Sequence, residues 1–205
     1  MITGVNRLTG FVLAGGKSSR MGSDKAFLSW GQETLLSNAL KLAGNVAASV
    51  HIVGDAKRFA SHSSVVEDVY RDRGPLGGIH AALSSTTTEL NLILAVDLPL
   101  VKPRFLHYLV SQADENGATV TVPRAGNGWQ PLCAVYRREF AAIAEQSLLA
   151  GKNKIDPLFA MVKTRVLQEQ ELGQQGFSAE MFRNLNTPEE LEAARRGFAH
   201  GDDVR

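Results

Sequence analysis

Three apolar runs, at residues 10–15, 48–53 and 91–96, punctuate the first half of the chain, and each predicts a buried strand. Amphipathic stretches at 34–44, 75–85 and 103–114 predict helices between and after them. This is βαβ alternation, which favours a mostly parallel sheet covered on both faces, right-handed crossovers and a ligand crevice at the carboxyl ends of the strands. Residues 118–122 and 131–136 predict two more strands, separated by a polar loop over 124–130, so the sheet is expected to be mixed. Helical patterns at 138–150 and 156–162 follow, then a short strand at 163–168, a Gln/Glu/Gly-rich loop over 168–176 and a last helix after Pro188. There Thr187 suits an N-cap, Pro188 the first helical position, and Glu189 and Glu190 the positive end of the helix dipole. Residues 200–205 read as a frayed tail. The expected fold class is α/β, a three-layer Rossmann-like arrangement around a mostly parallel, mixed central sheet.

Composition narrows the functional classes. A chain of 205 residues fits a single domain with a substantial core, and no repeat, low-complexity block or linker divides it. With 44% hydrophobic and 21% charged residues and a formal net charge of +1, it has no global attraction for nucleic acid or anionic membrane, so any affinity for phosphate must be local. A single cysteine, Cys133, precludes an intrachain disulfide and is consistent with a reducing compartment. The first residues lack the apolar core of a signal peptide, and no later run approaches the roughly 20 residues of a membrane helix; the expected location is cytoplasmic.

The local phosphate chemistry sits directly after the first strand. Residues Phe11 to Ala14 run into Gly15-Gly16-Lys17, followed by Arg20-Met21-Gly22 and Asp24-Lys25. Glycines let backbone amides approach an anion, Arg grips phosphate oxygens with a planar fork, and Lys acts as a mobile point charge. Gly16-Lys17-Ser18 imitates the end of a P-loop, but the first glycine of that motif would fall at Phe11, so the register excludes it. Asp97 ends the buried run 91–96, where a carboxylate can hold Mg²⁺ together with substrate phosphates; the competing role is a turn before Pro99. Gly74-Pro75-Leu76-Gly77-Gly78 opens a helix whose amides could face an anion, or whose small residues could serve tight packing. His51, His62, His80, His107 and His200 show no zinc spacing and read as structural or exposed, and Cys133 reads as packing.

The ordered set Leu13-Ala14-Gly15-Gly16, Arg20-Met21-Gly22, Asp24-Lys25, Glu67-Asp68, 74–78, Val96-Asp97-Leu98-Pro99, Gln130-Pro131-Leu132 and Asn184-Leu185-Asn186-Thr187-Pro188 resembles the sugar-nucleotide-type nucleotidyltransferases. It is most similar to the molybdenum cofactor guanylyltransferases, the molybdopterin-guanine dinucleotide biosynthesis protein A group. The resemblance spans nearly the whole chain. It implies one nucleotidyltransferase domain of the nucleotide-diphospho-sugar transferase type, with a nucleotide-binding half over about 8–100 and an acceptor half over about 101–198. It also implies transfer of GMP from GTP to molybdopterin with Mg²⁺ as cofactor, pyrophosphate as leaving group, and molybdoenzyme apoproteins or cofactor-delivery proteins as partners.

By the same resemblance, Leu13, Ala14, Gly15, Gly16, Lys25, Asp68 and Asp97 bind the nucleotide, Asp97 holds the metal, and Asn184 and Asn186 lie near the pterin. Arg20, Lys25 and Asp97 are the expected catalytic set, offsetting charge on the transition state and on pyrophosphate. Trp129 and Gln130 are further candidates for contact with the acceptor. One segment departs from the pattern: Gly151-Lys152-Asn153-Lys154 stands where the family carries Gly-x-Arg-Arg, keeping the charge and losing the planar forks. Two other readings stay open. One is a CTP-dependent cytidylyltransferase of molybdopterin or an isoprenoid phosphate, and the other a noncatalytic module that binds nucleotide or carries cofactor.

Overall fold

A computed structural model describes residues 7–15, 25–126, 128–185 and 190–194. The first strand, β1 (Leu8–Leu13), is buried at every position, which is why it lacks the polar alternation of a half-exposed strand. A small hairpin, β2 (Ser29–Trp30) and β3 (Glu33–Thr34), leads into α1 (Leu35–Gly44). Thr34 caps that helix by accepting a hydrogen bond from the Ser37 amide at 3.1 Å. Next come β4 (Ser49–Val53), the short α2 (Ala56–Phe59), β5 (Val65–Val66), α3 (Pro75–Ser84) and β6 (Leu90–Ala95). Helix α4 (Pro103–Asn116) starts on a proline that needs no amide partner there, and buries Phe105, Leu106, Leu109 and Ala113 on one stripe.

The second half adds β7 (Val120–Ala125), β8 (Gly128–Trp129), β9 (Cys133–Arg137), α5 (Phe140–Leu149), β10 (Thr164–Gln168) and α6 (Glu169–Gln174). The main sheet runs β10-β7-β9-β6-β1-β4-β5, with β8 paired back onto β7. Strand β9 is antiparallel to both β6 and β7, and the β5-β4-β1-β6 block and the β7-β10 pair are parallel, so the sheet is mixed as expected. Helices α1, α4 and α6 cover one face; α3 and α5 cover the other. The result is a three-layer α/β fold whose parallel strands all point their carboxyl ends to one edge.

Three expectations are corrected. The segment 168–176, expected as a loop, contains α6; its lone large apolar residue, Leu172, is 1% exposed, and Arg165 and Tyr108 both bond Glu171, so tertiary contacts rather than periodicity make this helix. The helix expected over 156–162 is a 3₁₀ segment, Asp156–Met161, set by Pro157 and by the Leu158 amide bonding Ile155 O at 2.9 Å. The polar loop over 124–130 is mostly hairpin: Arg124 pairs with Trp129 and Ala125 with Gly128, and Gly126 at φ 58° supplies the left-handed turn. The predicted cap and first turn at 187–189 and the tail over 200–205 lie outside the described residues, while 190–194 are helical.

Candidate functional site at the carboxyl edge

Parallel pairing brings the ends of β1, β4 and β6 side by side. Leu13 lies across from Val53 and Ala95; the Ala14 amide donates to Val53 O at 3.1 Å, and the Val96 amide donates to Leu13 O at the same distance. Gly15 therefore emerges between two neighbouring strand ends and is exposed there. Gly54, the first residue after β4, closes in on Gly15, the second after β1: a Cβ on Gly54 would stand 3.6 Å from the Gly15 nitrogen and 2.9 Å from the Phe59 ring. The sequence reading did not single out Gly54, although its place after an apolar run matched that of Gly15.

At the centre of this edge, Asp97 is the one residue of 90–101 that is not buried. Its Oδ2 accepts a hydrogen bond from Lys25 Nζ at 2.7 Å, and both side chains are mostly withdrawn from solvent. The structure thus joins two of the three expected catalytic residues in one charge-assisted contact. The Leu185 amide donates to Asp97 O at 3.3 Å, which sets the exposed Asn184 beside the same turn. Arg20, Gly16 and Asn186 lie outside the described residues.

Asp68 follows β5 at the sheet margin and faces the start of α3. Gly74 takes φ 65°, ψ −158°, a conformation open to glycine, and turns the chain into Pro75. The loop then lies so close to the helix that a Cβ on Gly77 would come within 2.9 Å of Tyr70 O, and one on Gly78 within 3.6 Å of Asp68 Oδ1. The small residues of 74–78 thus serve the close approach of the loop that carries Asp68. That approach leaves Asp68 Oδ1 buried without a hydrogen-bond partner, and burial holds the carboxyl above its ordinary pKa. A buried acceptor left open in this way is completed by a ligand donor or by water.

On the other side of Asp97 lies the β7–β8 hairpin. Gln130 donates from Nε2 to Ala125 O at 3.0 Å and to Gly128 O at 3.3 Å, so its amino group is committed to the hairpin and its carbonyl is what it offers outward. Trp129 is partly buried against Phe159, with ring centroids 4.9 Å apart. Lys152 and Lys154 are exposed on the segment after α5.

Two further reactive groups, Cys133 and His80, are buried within the fold. Cys133 is buried in β9, and burial pushes its thiol up, away from thiolate chemistry. His80 lies inside α3, with Nε2 at 3.2 Å from Ser84 Oγ and its ring edge-on to Tyr70. Among the described residues no three His, Cys, Asp or Glu side chains cluster as a metal cage. Magnesium needs none, since one or two carboxylates and substrate phosphates suffice, and Asp97, whose Oδ2 takes Lys25, keeps Oδ1 as a hard oxygen that fits that ion. Among the described residues, no helix is long and apolar enough to cross a membrane.

Residues 10–168 match the MobA-like NTP transferase domain family. A protein of Pelotomaculum thermopropionicum named probable molybdenum cofactor guanylyltransferase is 36% identical over 189 residues, covering 91% of each chain. The molybdenum cofactor guanylyltransferase of Syntrophotalea carbinolica is 32% identical over 187 residues, covering 90% of this chain and 89% of its own. Among solved structures, molybdopterin-guanine dinucleotide biosynthesis protein A from Archaeoglobus fulgidus superposes with a TM-score of 0.80 at 25% identity, covering 94% of this chain and 99% of that one. The 4-diphosphocytidyl-2C-methyl-D-erythritol synthase of Anaerococcus prevotii shares the fold, with a TM-score of 0.68 at 12% identity over 94% of this chain and 98% of that one.

Proposed function

The chain belongs to the MobA-like NTP transferase family, and from that premise we propose that it transfers GMP from GTP to molybdopterin, forming molybdopterin guanine dinucleotide and releasing pyrophosphate. The observation that carries this reading is the Lys25–Asp97 pair at 2.7 Å in the middle of the carboxyl edge, with the open Asp68 oxygen further along the same edge, beyond β5.

The nucleotide lies along β1, β4 and β5, with its phosphates over Gly15 and its base toward Asp68. Guanine presents two adjacent donors, N1–H and the 2-amino group, that match the two acceptors of a carboxylate; adenine and cytosine present an unprotonated ring nitrogen at the corresponding position. Asp68 Oδ1, buried and unpartnered, favours the base that brings donors. Arg20 and the Gly16 amide are assigned to the phosphates from the sequence alone.

A terminal phosphate oxygen of molybdopterin attacks the α-phosphorus, the bond from that phosphorus to the α,β-bridging oxygen breaks, and pyrophosphate leaves with the bonding pair. A phosphate monoester, with a second pKa of about 6, is ionised at neutral pH and needs no general base. Lys25 neutralises charge that builds on the phosphate oxygens and, through its contact with Asp97, holds that carboxylate in one orientation. Asp97 is the residue that would hold Mg²⁺, which supplies charge neutralisation at the phosphates when bound.

The test is pyrophosphate release from GTP, CTP or ATP with Mg²⁺ and molybdopterin. Release with GTP alone, dependent on molybdopterin, supports guanylyl transfer. A preference for CTP would reassign the protein as a cytidylyltransferase, and nucleotide binding without release would leave a carrier.

A further inference from the structure

We propose that Arg124, splinted against Trp129, is an acceptor-binding residue that holds the heterocyclic, anionic body of the second substrate. This inference rests on the guanylyl-transfer reading above and deepens it.

The position follows from register. Thr121 pairs with Val135, which pairs with Leu92, so β7 runs level with β6 one strand beyond β9, and Arg124 is level with Ala95 at the mouth of the Asp97 turn. Two strand spacings separate them, about 10 Å. The sheet order puts Asp68 beyond β5 on one side of Asp97 and Arg124 on β7 on the other. If the base occupies the Asp68 side and the reacting phosphates sit at Asp97, the acceptor extends from its own phosphate toward β7.

The chemistry of the Arg124 head matches that direction. Its guanidinium carbon lies 5.2 Å from the centroid of the Trp129 ring, and the two residues are cross-strand partners in the hairpin. Trp129 in turn rests on Phe159, so the indole is anchored from below. Arg124 is exposed, and among the described residues no carboxylate pairs with it. Glu169, next to the β10 partner of Arg124, directs its Oε2 to the Gly126 amide at 2.9 Å. The structure therefore presents a planar cation with its N–H fork open, restrained by an aromatic face rather than by an ion pair. Such a group stacks on a planar heterocycle and binds its oxyanion or thiolate substituents with little further loss of freedom. The neighbouring Gln130 amino group is already used within the hairpin, whereas the Arg124 fork is exposed.

The experiment uses Arg124→Ala, Arg124→Lys and Trp129→Leu in the full chain, with circular dichroism to verify folding. Two readouts are taken: steady-state pyrophosphate release with the GTP and molybdopterin KM values separated, and molybdopterin quenching of Trp129 fluorescence in a Trp30→Phe background. Arg124→Ala should raise the molybdopterin KM and the quenching Kd at least about tenfold, leaving the GTP KM unchanged, as expected for loss of a charged contact. Arg124→Lys should restore little, because the charge returns without the planar fork. Trp129→Leu should raise the acceptor KM by less, through loss of positioning. An unchanged acceptor KM and quenching in Arg124→Ala would overturn the inference and leave Arg124–Trp129 as a hairpin brace. Wild-type protein that binds GTP but shows neither quenching nor release with molybdopterin would instead overturn the guanylyl-transfer reading, and this inference with it.

Discussion

Lys25 and Asp97 are 72 residues apart in the chain, yet their side chains meet at 2.7 Å where β1 and β6 end together. Neither residue is fully exposed, so the contact is made in a partly desolvated setting where it orients charge more strongly than a surface pair would. Asp97→Asn and Lys25→Ala should each lower turnover by about 10²- to 10³-fold, the scale of removing one electrostatic contact to a transition state. Thermal unfolding should stay cooperative in both. Near-wild-type turnover in either variant would remove it from the catalytic set.

Asp68 sets stability against function. Its folded-state pKa is raised by burial, so the folded protein holds that proton to higher pH than the unfolded chain does. The carboxyl therefore costs nothing at pH values below its ordinary value of 3.8; the cost grows as pH rises through the folded pKa and stays constant above it. Asp68→Asn should raise Tm at neutral pH, with the gain fading on acidification, while GTP affinity falls about 10- to 100-fold through loss of a charged acceptor. Calorimetry at a series of pH values and a GTP titration check both halves.

The glycines at the start of α3 are required by space. Gly77→Ala puts a Cβ 2.9 Å from a backbone oxygen that cannot swing aside, and should destabilise by about 1–3 kcal/mol, with Tm falling about 2–4 °C for each. Gly44→Ala, at a site with nothing within 4 Å, is the matched control and should be neutral or slightly stabilising. Equal effects from the two substitutions would remove the close approach as the cause.

Helix α6 is tied to the sheet by Glu171. Burial works against its charge, but hydrogen bonds from Arg165 and from Tyr108 at 2.7 Å hold its pKa below the ordinary 4.5. A lowered pKa means stability that is present above 4.5 and lost as pH falls through the folded value. Glu171→Gln should lower Tm at pH 7, and the two proteins should converge as the pH falls from 4.5 through the lowered folded value. The same network, with burial as the larger cause, pushes the Tyr108 hydroxyl up to about 12, so it stays a donor throughout this range.

Element types were legible wherever one pattern sufficed. Six buried positions in a row marked β1, and an apolar stripe marked α4. Helix α6 was not legible, because one apolar residue and a glycine in its six carry no period; its burial depends on β10 and α4 being in place first. The β7–β8 hairpin was obscured in the same way, since glycines and polar residues over 124–130 suit a loop as well as a tight turn, and pairing to β7 decides between them.

By itself the sequence determined the layered α/β class, the strand that ends in Gly15, the acidic strand end at Asp97 and the membership of a transferase family. These depend on local periodicity and on residue types at short spacing, which survive without knowledge of what packs where. Tertiary structure alone decided that Lys25 reaches Asp97, that Asp68 keeps a buried oxygen open against α3, and that the Arg124 guanidinium lies over the Trp129 ring level with the Asp97 turn. Each of these is a contact between segments whose adjacency is set by strand order and register. A burial pattern states which face turns inward and is silent about which neighbour it meets.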